Sequence, residues 1–298
     1  MSLDARARFL SALVLTLAVP VLPASAQQPQ PPQQITFDLT GEWGMRQHED
    51  QPERGPGPEL GDYLGLPINE AARRKADSWD ASILTLPEHQ CKPHPSTYAL
   101  RGPQNLRIWK ELDPQTQRVI AIGTHGSWMS PIRMIWLDGR PHPPDYAAHT
   151  FMGFSTGTWE GDALTVTTTH IKQGWIRRNG IAHSDQATMT EHYIRHGNTL
   201  TVVTMVSDPA YMTEPFYRSS NWEWAPNQNI GPYPCGPQQI VVEVERPQGT
   251  VPHHLPGTNE FIKEFAEKYH IPFEATRGGV ETTYPEYQLK LKELMAGR

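Results

Sequence analysis

A glutamate in a strand-like segment is the residue of this sequence whose setting most favours chemistry. The run from Thr188 to Arg195 alternates in polarity as an extended chain does. One of its two faces carries Met189, Glu191, Tyr193 and Arg195. Met189 and Tyr193 predict that this face points into the core. A carboxylate there needs a partner, because an isolated buried charge is costly.

Four side chains are candidate partners for Glu191, namely Arg140, His142, His183 and Arg195. A carboxylate beside an imidazole in apolar surroundings gives two groups whose pKa values shift toward neutrality, which general acid–base catalysis requires. We therefore interpret His142, His183 and Glu191 as candidate catalytic residues for proton transfer. The alternative is structural: Glu191 and Arg195 form an ion pair, and the two histidines hold loop backbone.

Further aromatic and basic side chains are candidate contacts for a substrate. On the strand-like run from Ala163 to Ile171, His170 shares a face with Leu164 and Val166, which predicts an inward position near the end of the strand. The 9 tryptophans offer surfaces for a flat or apolar molecule or a sugar, although large β cores also contain tryptophan. The predicted substrate-binding residues are Arg140, Trp159, His170, Trp175, Tyr193 and Arg195.

No cofactor is expected, since the sequence has neither a phosphate-binding glycine loop nor a dinucleotide fingerprint. The 13 histidines keep a metal site open as an alternative. None of them has H-E-x-x-H spacing, and His253-His254 lies in a loop flanked by proline and glycine. Our prediction is therefore that no residue is a metal ligand.

Two successive hairpins must position these residues. The first joins 150–159 to 163–171 through Glu160-Gly161-Asp162, and the second joins 188–195 to 199–206 through His196-Gly197-Asn198. Further strands are predicted at 35–45, 106–112, 118–123, 132–137, 217–224 and 240–245. About nine or ten strands predict a mainly β fold, a closed antiparallel barrel without exposed edges.

Outside the strands, helices are predicted at about 69–79 and within 259–296, from helix-forming residues, an Asn69 cap and apolar spacing. The proline-rich segment 86–103 is predicted to be a loop. We expect the helices to lie on the outside of the barrel or across one of its mouths.

The first 26 residues have the pattern of a cleaved signal peptide. Arg6 and Arg8 precede an apolar run, and Ala24-Ser25-Ala26 is a cleavage pattern that places the cut after Ala26. A Pro/Gln-rich linker follows at 27–34, and 35–298 is predicted to form a single barrel domain. The apolar run is short for a membrane span. We expect a periplasmic or secreted protein without a membrane anchor.

Charge and cysteine content narrow the partners. Removing Asp4, Arg6 and Arg8 with the leader takes the formal net charge from −6 to −7, which argues against nucleic acid and anionic membranes as partners. Cys91 and Cys235 are the two cysteines, and in an oxidising compartment we predict that they form a disulfide. The sequence leaves the oligomeric state open.

Several motifs carry a family resemblance. They are Asp138-Gly139-Arg140-Pro141-His142-Pro143, the run MGFSTGTWEGD at 152–162, His183-Ser184 and Thr190-Glu191. With them the chain resembles a large group of exported bacterial proteins that have no established activity. Gly41-Glu42-Trp43 also resembles the opening strand of lipocalin-like barrels. The chain departs from the group's pattern at His170, where a glycine is usual, and at His192-Tyr193.

The sequence therefore predicts an exported barrel that takes a small, largely apolar organic molecule into its interior. The favoured hypothesis is proton-transfer chemistry of the lyase, isomerase or cyclase type. A non-catalytic carrier of a hydrophobic ligand is the first alternative, and a metal-dependent hydrolase with a histidine cluster is the second. An interaction protein whose barrel is filled by its own side chains is a further one.

Overall fold

The computed structural model describes residues 38–296, except for 49, 56, 102–103 and 235–243. Nine of the strands in this part of the chain form a closed barrel. They are β1 (Gly41–Met45), β2 (Leu106–Leu112), β3 (Val119–Gly126), β4 (Ile132–Trp136), β5 (Phe154–Glu160), β6 (Ala163–Thr169), β9 (Thr188–His196), β10 (Thr199–Ser207) and β11 (Phe216–Trp224). A separate two-stranded sheet joins β7 (Gly174–Trp175) to β8 (Ala182–His183).

The predicted mainly β barrel is confirmed, with one correction to its strand directions. Around the barrel the order is β1, β11, β10, β9, β6, β5, β4, β3, β2, and β2 closes on β1. The pair β4–β5 is parallel, with Ile135 opposite Ser155 and Trp136 opposite Thr156, while the other pairs are antiparallel. A long connection over 137–153 makes this possible, because parallel neighbours need a crossover rather than a hairpin. The barrel is therefore mixed.

Both predicted hairpins of the central segment are confirmed. Glu160 is opposite Ala163 in β5–β6, and His196 is opposite Thr199 in β9–β10, so each loop has two residues. The first loop residue is Gly161 in one hairpin, with φ 63°, and Gly197 in the other, with φ 59°. Glycine tolerates this left-handed conformation, which matches the twist of the flanking strands.

The barrel interior holds an apolar cluster and a polar layer, and beyond that layer lies a second apolar cluster formed mostly by residues outside the barrel strands. Along β10, for example, Leu200 and Val202 belong to the first cluster, Thr204 to the polar layer and Val206 to the second cluster. The first cluster comprises Leu39, Trp43, Leu100, Leu106, Ile108, Ile122, Ile135, Leu164, Val166, Tyr193, Leu200, Val202 and Trp222. The second comprises Tyr63, Leu66, Ile68, Ala72, Ala76, Ile171, Ile176, Ile181, Met189, Val206 and Met212.

Short helices lie between and after the strands in the described part of the chain. They are α1 (Gln51–Arg54), α2 (Glu70–Asp77), α3 (Pro87–Gln90), α4 (Ser96–Ala99), α5 (Glu264–Tyr269), α6 (Phe273–Thr276) and α7 (Pro285–Ala296), with 3₁₀ turns at Ala81–Thr85, Glu260–Lys263 and Val280–Thr283. The Asn69 side chain caps α2 by accepting from the Ala72 N–H at 3.1 Å. No helix within the described ranges is long and apolar enough to cross a membrane.

Two predicted elements differ from the structure or fall partly outside it. The segment 86–103 is not a plain loop, since it contains α3 and α4. Prolines at the start of α3 and just before α4 explain this, because proline favours the first turn of a helix. Of the strand predicted at 240–245, only Val244 and Glu245 are described, and they have no regular structure.

Three further predictions lie outside the described residues and stay predictions. These are the signal peptide, the linker at 27–34 and the disulfide, since Cys235 is not described. Cys91 is partly buried, immediately after α3.

Candidate functional site

Glu191 is buried in the middle of the barrel, with no exposed side-chain surface. Its inward orientation is the one that the alternation of β9 predicts. Its ionic partner is Arg133 of β4, whose Nη2 lies 2.6 Å from Glu191 Oε2. Arg133 also donates to the hydroxyls of Ser155 (2.8 Å) and Thr168 (2.7 Å). The polar layer is thus an ion pair supported by two hydroxyl groups.

Arg133 is not among the four partners that the sequence suggested. The strand β4 reads Ile-Arg-Met-Ile-Trp, and its wholly apolar face is the one opposite Arg133, so alternation alone would place Arg133 outside the barrel. Burial lowers the pKa of Arg133, and the charge of Glu191 more than offsets this, so that its pKa is raised. Arg133 is therefore held in its charged form beside the Glu191 carboxylate. A structural ion pair between Glu191 and Arg195 was the alternative to catalysis that the sequence suggested. The structure has such a pair, with Arg133 in place of Arg195.

His142 and His170 lie on the outer side of the barrel and form one hydrogen-bonded chain with two threonines. His142 Nε2 contacts Thr156 Oγ1 (2.8 Å) and its Nδ1 contacts Thr169 Oγ1 (2.7 Å). Thr169 Oγ1 also contacts His170 Nδ1 (2.8 Å), while His170 Nε2 meets the Pro144 carbonyl (3.0 Å). That carbonyl can only accept, so Nε2 of His170 must donate to it.

When both imidazole rings are neutral, the donor and the acceptor of each hydrogen bond in this series follow from that one bond. Thr169 donates to His170 Nδ1 and accepts from His142 Nδ1–H, and Thr156 then donates to His142 Nε2. Burial, and then the charge of His170, lowers the pKa of His142. The predicted inward position of His170 is wrong: β6 ends at Thr169, and the left-handed φ of 56° at His170 breaks the alternation.

The other predicted contact residues are spread over the barrel. Arg140 pairs with Asp138 and stacks on Trp136, with its Cζ 3.5 Å from the ring centroid. Arg195 stacks on Trp43 (5.1 Å) and Trp224 (5.0 Å). Trp159 and Tyr193 pack with the first apolar cluster. Tyr193 also lies beside the Arg133–Glu191 pair, whereas Arg140, Trp159 and Arg195 do not gather there.

A cavity of about 210 Å³ lies instead among the loops, and we call it the loop cavity. Its walls come from five separate parts of the chain. They are Leu84, His89, Gln90, Lys92, Pro93, His94, Pro95, Trp128, Met129, Phe151, Gln173, Gly174, Trp175, Arg178 and Tyr233. Of the predicted contact residues, Trp175 is the one that lines it.

His94 lines the loop cavity together with His89, and aromatic rings surround its imidazole. Its ring centroid lies 4.7 Å from that of Tyr98, 5.4 Å from that of Trp128 and 6.0 Å from that of Trp175. Burial, with a contribution from the charge of Arg178, lowers the pKa of His94 to about 4. His94 is therefore neutral at neutral pH, and the aromatic wall stays uncharged at this point.

His183 lies directly behind the cavity wall. A Cβ built on Gly174 would approach His183 Nε2 to 3.2 Å and Pro95 Cγ to 2.7 Å, so only glycine fits between them. His183 Nδ1 contacts the Ser184 carbonyl at 2.8 Å and must donate to it, which leaves Nε2 as a bare acceptor. Burial lowers the pKa of His183, against the Ser184 hydrogen bond and the charge of Asp208.

The cavity has a positive charge balance. Lys92 and Arg178 line it, whereas no aspartate or glutamate is among the lining residues that the structure describes. Arg178 donates from Nη1 to the Gly55 carbonyl (2.9 Å), and its Cζ lies 5.3 Å from the ring centroid of Trp128. Lys92 Nζ lies 5.2 Å from the ring centroid of Phe151.

The sequence did not indicate the importance of His94, Trp128, Phe151 and Arg178. Each lies on a different loop, and their approach depends on the closure of the barrel beneath them. The backbone gives one signal that only the structure reveals. Met129, which lines the cavity, and Ser130 have left-handed φ values of 60° and 46°. Such conformations cost about 1–3 kcal/mol each and cluster at functional sites.

Comparisons with known proteins and a search for metal ligands add no assignment. No protein-family model matches the sequence, and no curated protein matches it. Within the described residues, no group of three or more histidine, cysteine, aspartate or glutamate side chains is placed to hold a metal ion.

Proposed function

We propose that this chain is an exported protein that binds a small, flat, largely apolar organic molecule in the loop cavity and carries it without changing it. The observation that carries the proposal is the cavity wall. Three aromatic side chains, Trp128, Phe151 and Trp175, meet there around a neutral imidazole. Concave, mainly apolar pockets with a few polar groups are the usual form of a small-molecule site.

The packing of the barrel favours this location over the interior. The first apolar cluster and the Arg133–Glu191 layer occupy the inside of the strands, and the second cluster adjoins them through Met189 and Val206. A ligand placed there would have to displace a buried ion pair, and separating such charges is costly. A ligand in the loop cavity does not displace that ion pair.

The aromatic wall also supplies the binding energy that a flat molecule needs. Trp175 meets Trp79 edge-on, with the ring centroids 5.1 Å apart, so its indole is braced from behind. A wall held in place before binding loses little side-chain entropy when the ligand arrives. Offset or edge-to-face ring contacts add about 0.5–1.5 kcal/mol per pair beyond the area that they bury.

Proton transfer remains a second candidate, and His183 is the residue that favours it. Its unprotonated Nε2 lies just behind Gly174, whereas Glu191 is held by Arg133. The His183 side chain has no exposed surface, so proton transfer would require a ligand that reaches past Gly174 to this nitrogen. A ligand that the wild type converts and the His183→Gln variant binds but does not convert would establish this candidate over the carrier.

The proposed binding function is tested by mass spectrometry of small molecules released when the purified full-length protein is denatured. We expect a stoichiometric organic molecule from the wild type and a strongly reduced amount from Trp175→Leu. Trp159→Leu is the matched control, because Trp159 is also partly buried but packs with the barrel cluster. Equal release from both variants would contradict the loop cavity as the site.

Export is tested on the same preparation. A mature protein recovered outside the cytoplasm should begin at Gln27. A chain that retains the first 26 residues and stays in the cytoplasm would overturn this part of the proposal.

A further inference from the structure

The charges around the loop cavity bear on the chemical class of its ligand. Arg54, Arg101, Arg133 and Arg177 are buried, and each has a carboxylate oxygen within 4.0 Å. Arg178 is the next residue after Arg177 and is half-buried, yet in the described part of the chain it has no carboxylate within that distance. Its single hydrogen bond to a protein group in that part is the one to the Gly55 carbonyl.

Arg178 therefore keeps donors for another molecule. A guanidinium group has five N–H donors in a fixed plane and binds a carboxylate through two of them at once. Lys92 is a second cationic residue of the lining. The site is partly screened from water, so an anion gains more from these charges than it would at an open surface.

The rings next to Arg178 indicate the rest of the ligand. The Trp128 ring lies beneath the guanidinium group, and Trp175 lies within ring-contact distance of His94 on the same wall. A molecule that meets Arg178 with a carboxylate thus places its neighbouring atoms against indole surfaces. A planar ring fits that surface better than a flexible chain, because it loses less conformational freedom on binding.

We propose that the ligand of the loop cavity is an aromatic carboxylate, with its carboxylate on Arg178 and its ring against Trp128 and Trp175. This assignment rests on the proposed binding function and names the ligand class of the same site. Neutral aromatic molecules of equal size bind more weakly, because they leave Arg178 without an anionic partner.

The test compares naphthoate with naphthamide, a neutral probe of nearly the same shape. Titration of the full-length protein, followed by calorimetry and tryptophan fluorescence, should give an affinity for naphthoate about 10-fold to 100-fold higher than for naphthamide. Arg178→Gln should lower the naphthoate affinity to that of the amide. Arg195→Gln is the matched control, because Arg195 is also stacked on tryptophan rings but lies away from the cavity.

The possible outcomes separate this inference from the proposed function. Equal affinities for the two probes in the wild type would overturn the carboxylate assignment and leave the binding function standing. Binding of neither probe would overturn both. Should Arg178→Gln fail to fold, salt gives a second measurement: the naphthoate affinity should fall with ionic strength while the naphthamide affinity stays constant. Equal salt responses would also overturn the assignment.

Discussion

The barrel interior and the loop cavity both contain an arginine in partly or fully apolar surroundings, but the two arginines, Arg133 and Arg178, have different partners for their charge. Inside the barrel, Arg133 is compensated by Glu191 and two hydroxyl groups, while the guanidinium nitrogens of Arg218 are buried without a hydrogen-bond partner among the described residues. At the cavity, Arg178 meets a backbone carbonyl and the face of Trp128. Burial of charged groups therefore does not mark a ligand site by itself. A charged group that has no counter-charge and lies beside a cavity does indicate a ligand site.

The largest expected effect comes from breaking the compensated pair. Glu191→Gln leaves Arg133 buried without a counter-charge and should lower the free energy of unfolding by about 3–5 kcal/mol. Urea denaturation measures this, and ligand affinity should stay unchanged wherever the variant is folded. The double variant Arg133→Met/Glu191→Leu should lose less than either single change. A stable Glu191→Gln protein that has lost ligand binding would reverse the roles given to the two regions.

The neutral imidazole of the cavity should appear in the pH dependence of stability. The pKa of His94 is about 4 in the folded protein, against an ordinary value of 6.5. Between these values the unfolded chain binds more protons, so stability is complete above pH 6.5 and falls as the pH falls toward 4. The loss attributable to His94 is about 3 kcal/mol.

Thermal unfolding between pH 4 and 7 measures the His94 contribution. His94→Phe should flatten the slope in this window, while His196→Gln, at an exposed hairpin position, should leave it as in the wild type. His183 shifts in the same direction, so some slope persists. An unchanged slope in His94→Phe would contradict the neutral, enclosed state of this ring.

Two glycines, Gly157 in the barrel and Gly174 at the cavity wall, allow a side chain to be added to each region separately. A Cβ on Gly157 would lie 2.9 Å from Ile135 and Leu137 inside the barrel, and one on Gly174 would lie 2.7 Å from Pro95 at the cavity wall. Gly157→Ala should cost about 1–3 kcal/mol of stability without changing ligand affinity. Gly174→Ala should weaken ligand binding more than it lowers stability. Denaturation measures the stability of both variants, and titration measures their ligand affinity. Weaker ligand binding in Gly157→Ala together with unchanged binding in Gly174→Ala would contradict the roles given to the two regions.

The smallest effect is expected on the outer wall. Thr169→Val removes the hydroxyl between His142 and His170 and should cost about 1 kcal/mol. Thr167→Val is the control, because Thr167 lies on the same face of β6 and is exposed. A Thr169→Val protein as stable as this control would show that the histidine chain does not stabilise the fold.

Local patterns in the sequence predicted the parts of the fold that local physics determines. Glycine at the hairpin loops and alternation in β9 were enough to predict two strand pairs and the inward direction of Glu191. The parallel β4–β5 pair was not predictable, because it depends on the path of the connection at 137–153. The predicted inward position of His170 was wrong for a local reason, because the left-handed backbone at His170 ends β6.

The candidate site was harder to predict than the fold. Arg133 reaches Glu191 across the barrel from a strand whose alternation would place this arginine on the outer face. The loop cavity needs residues from segments as far apart as His94 and Tyr233. No spacing in the sequence encodes such a meeting, since it follows from the closure of the barrel.

The most direct test of the loop cavity is a crystal structure of the protein with a bromonaphthamide probe, in which anomalous scattering locates the bromine. Our account predicts a bromine peak in the loop cavity against Trp128 and Trp175, with the Arg133–Glu191 pair intact. A peak inside the barrel beside Glu191 and Tyr193, with that pair separated, would contradict it.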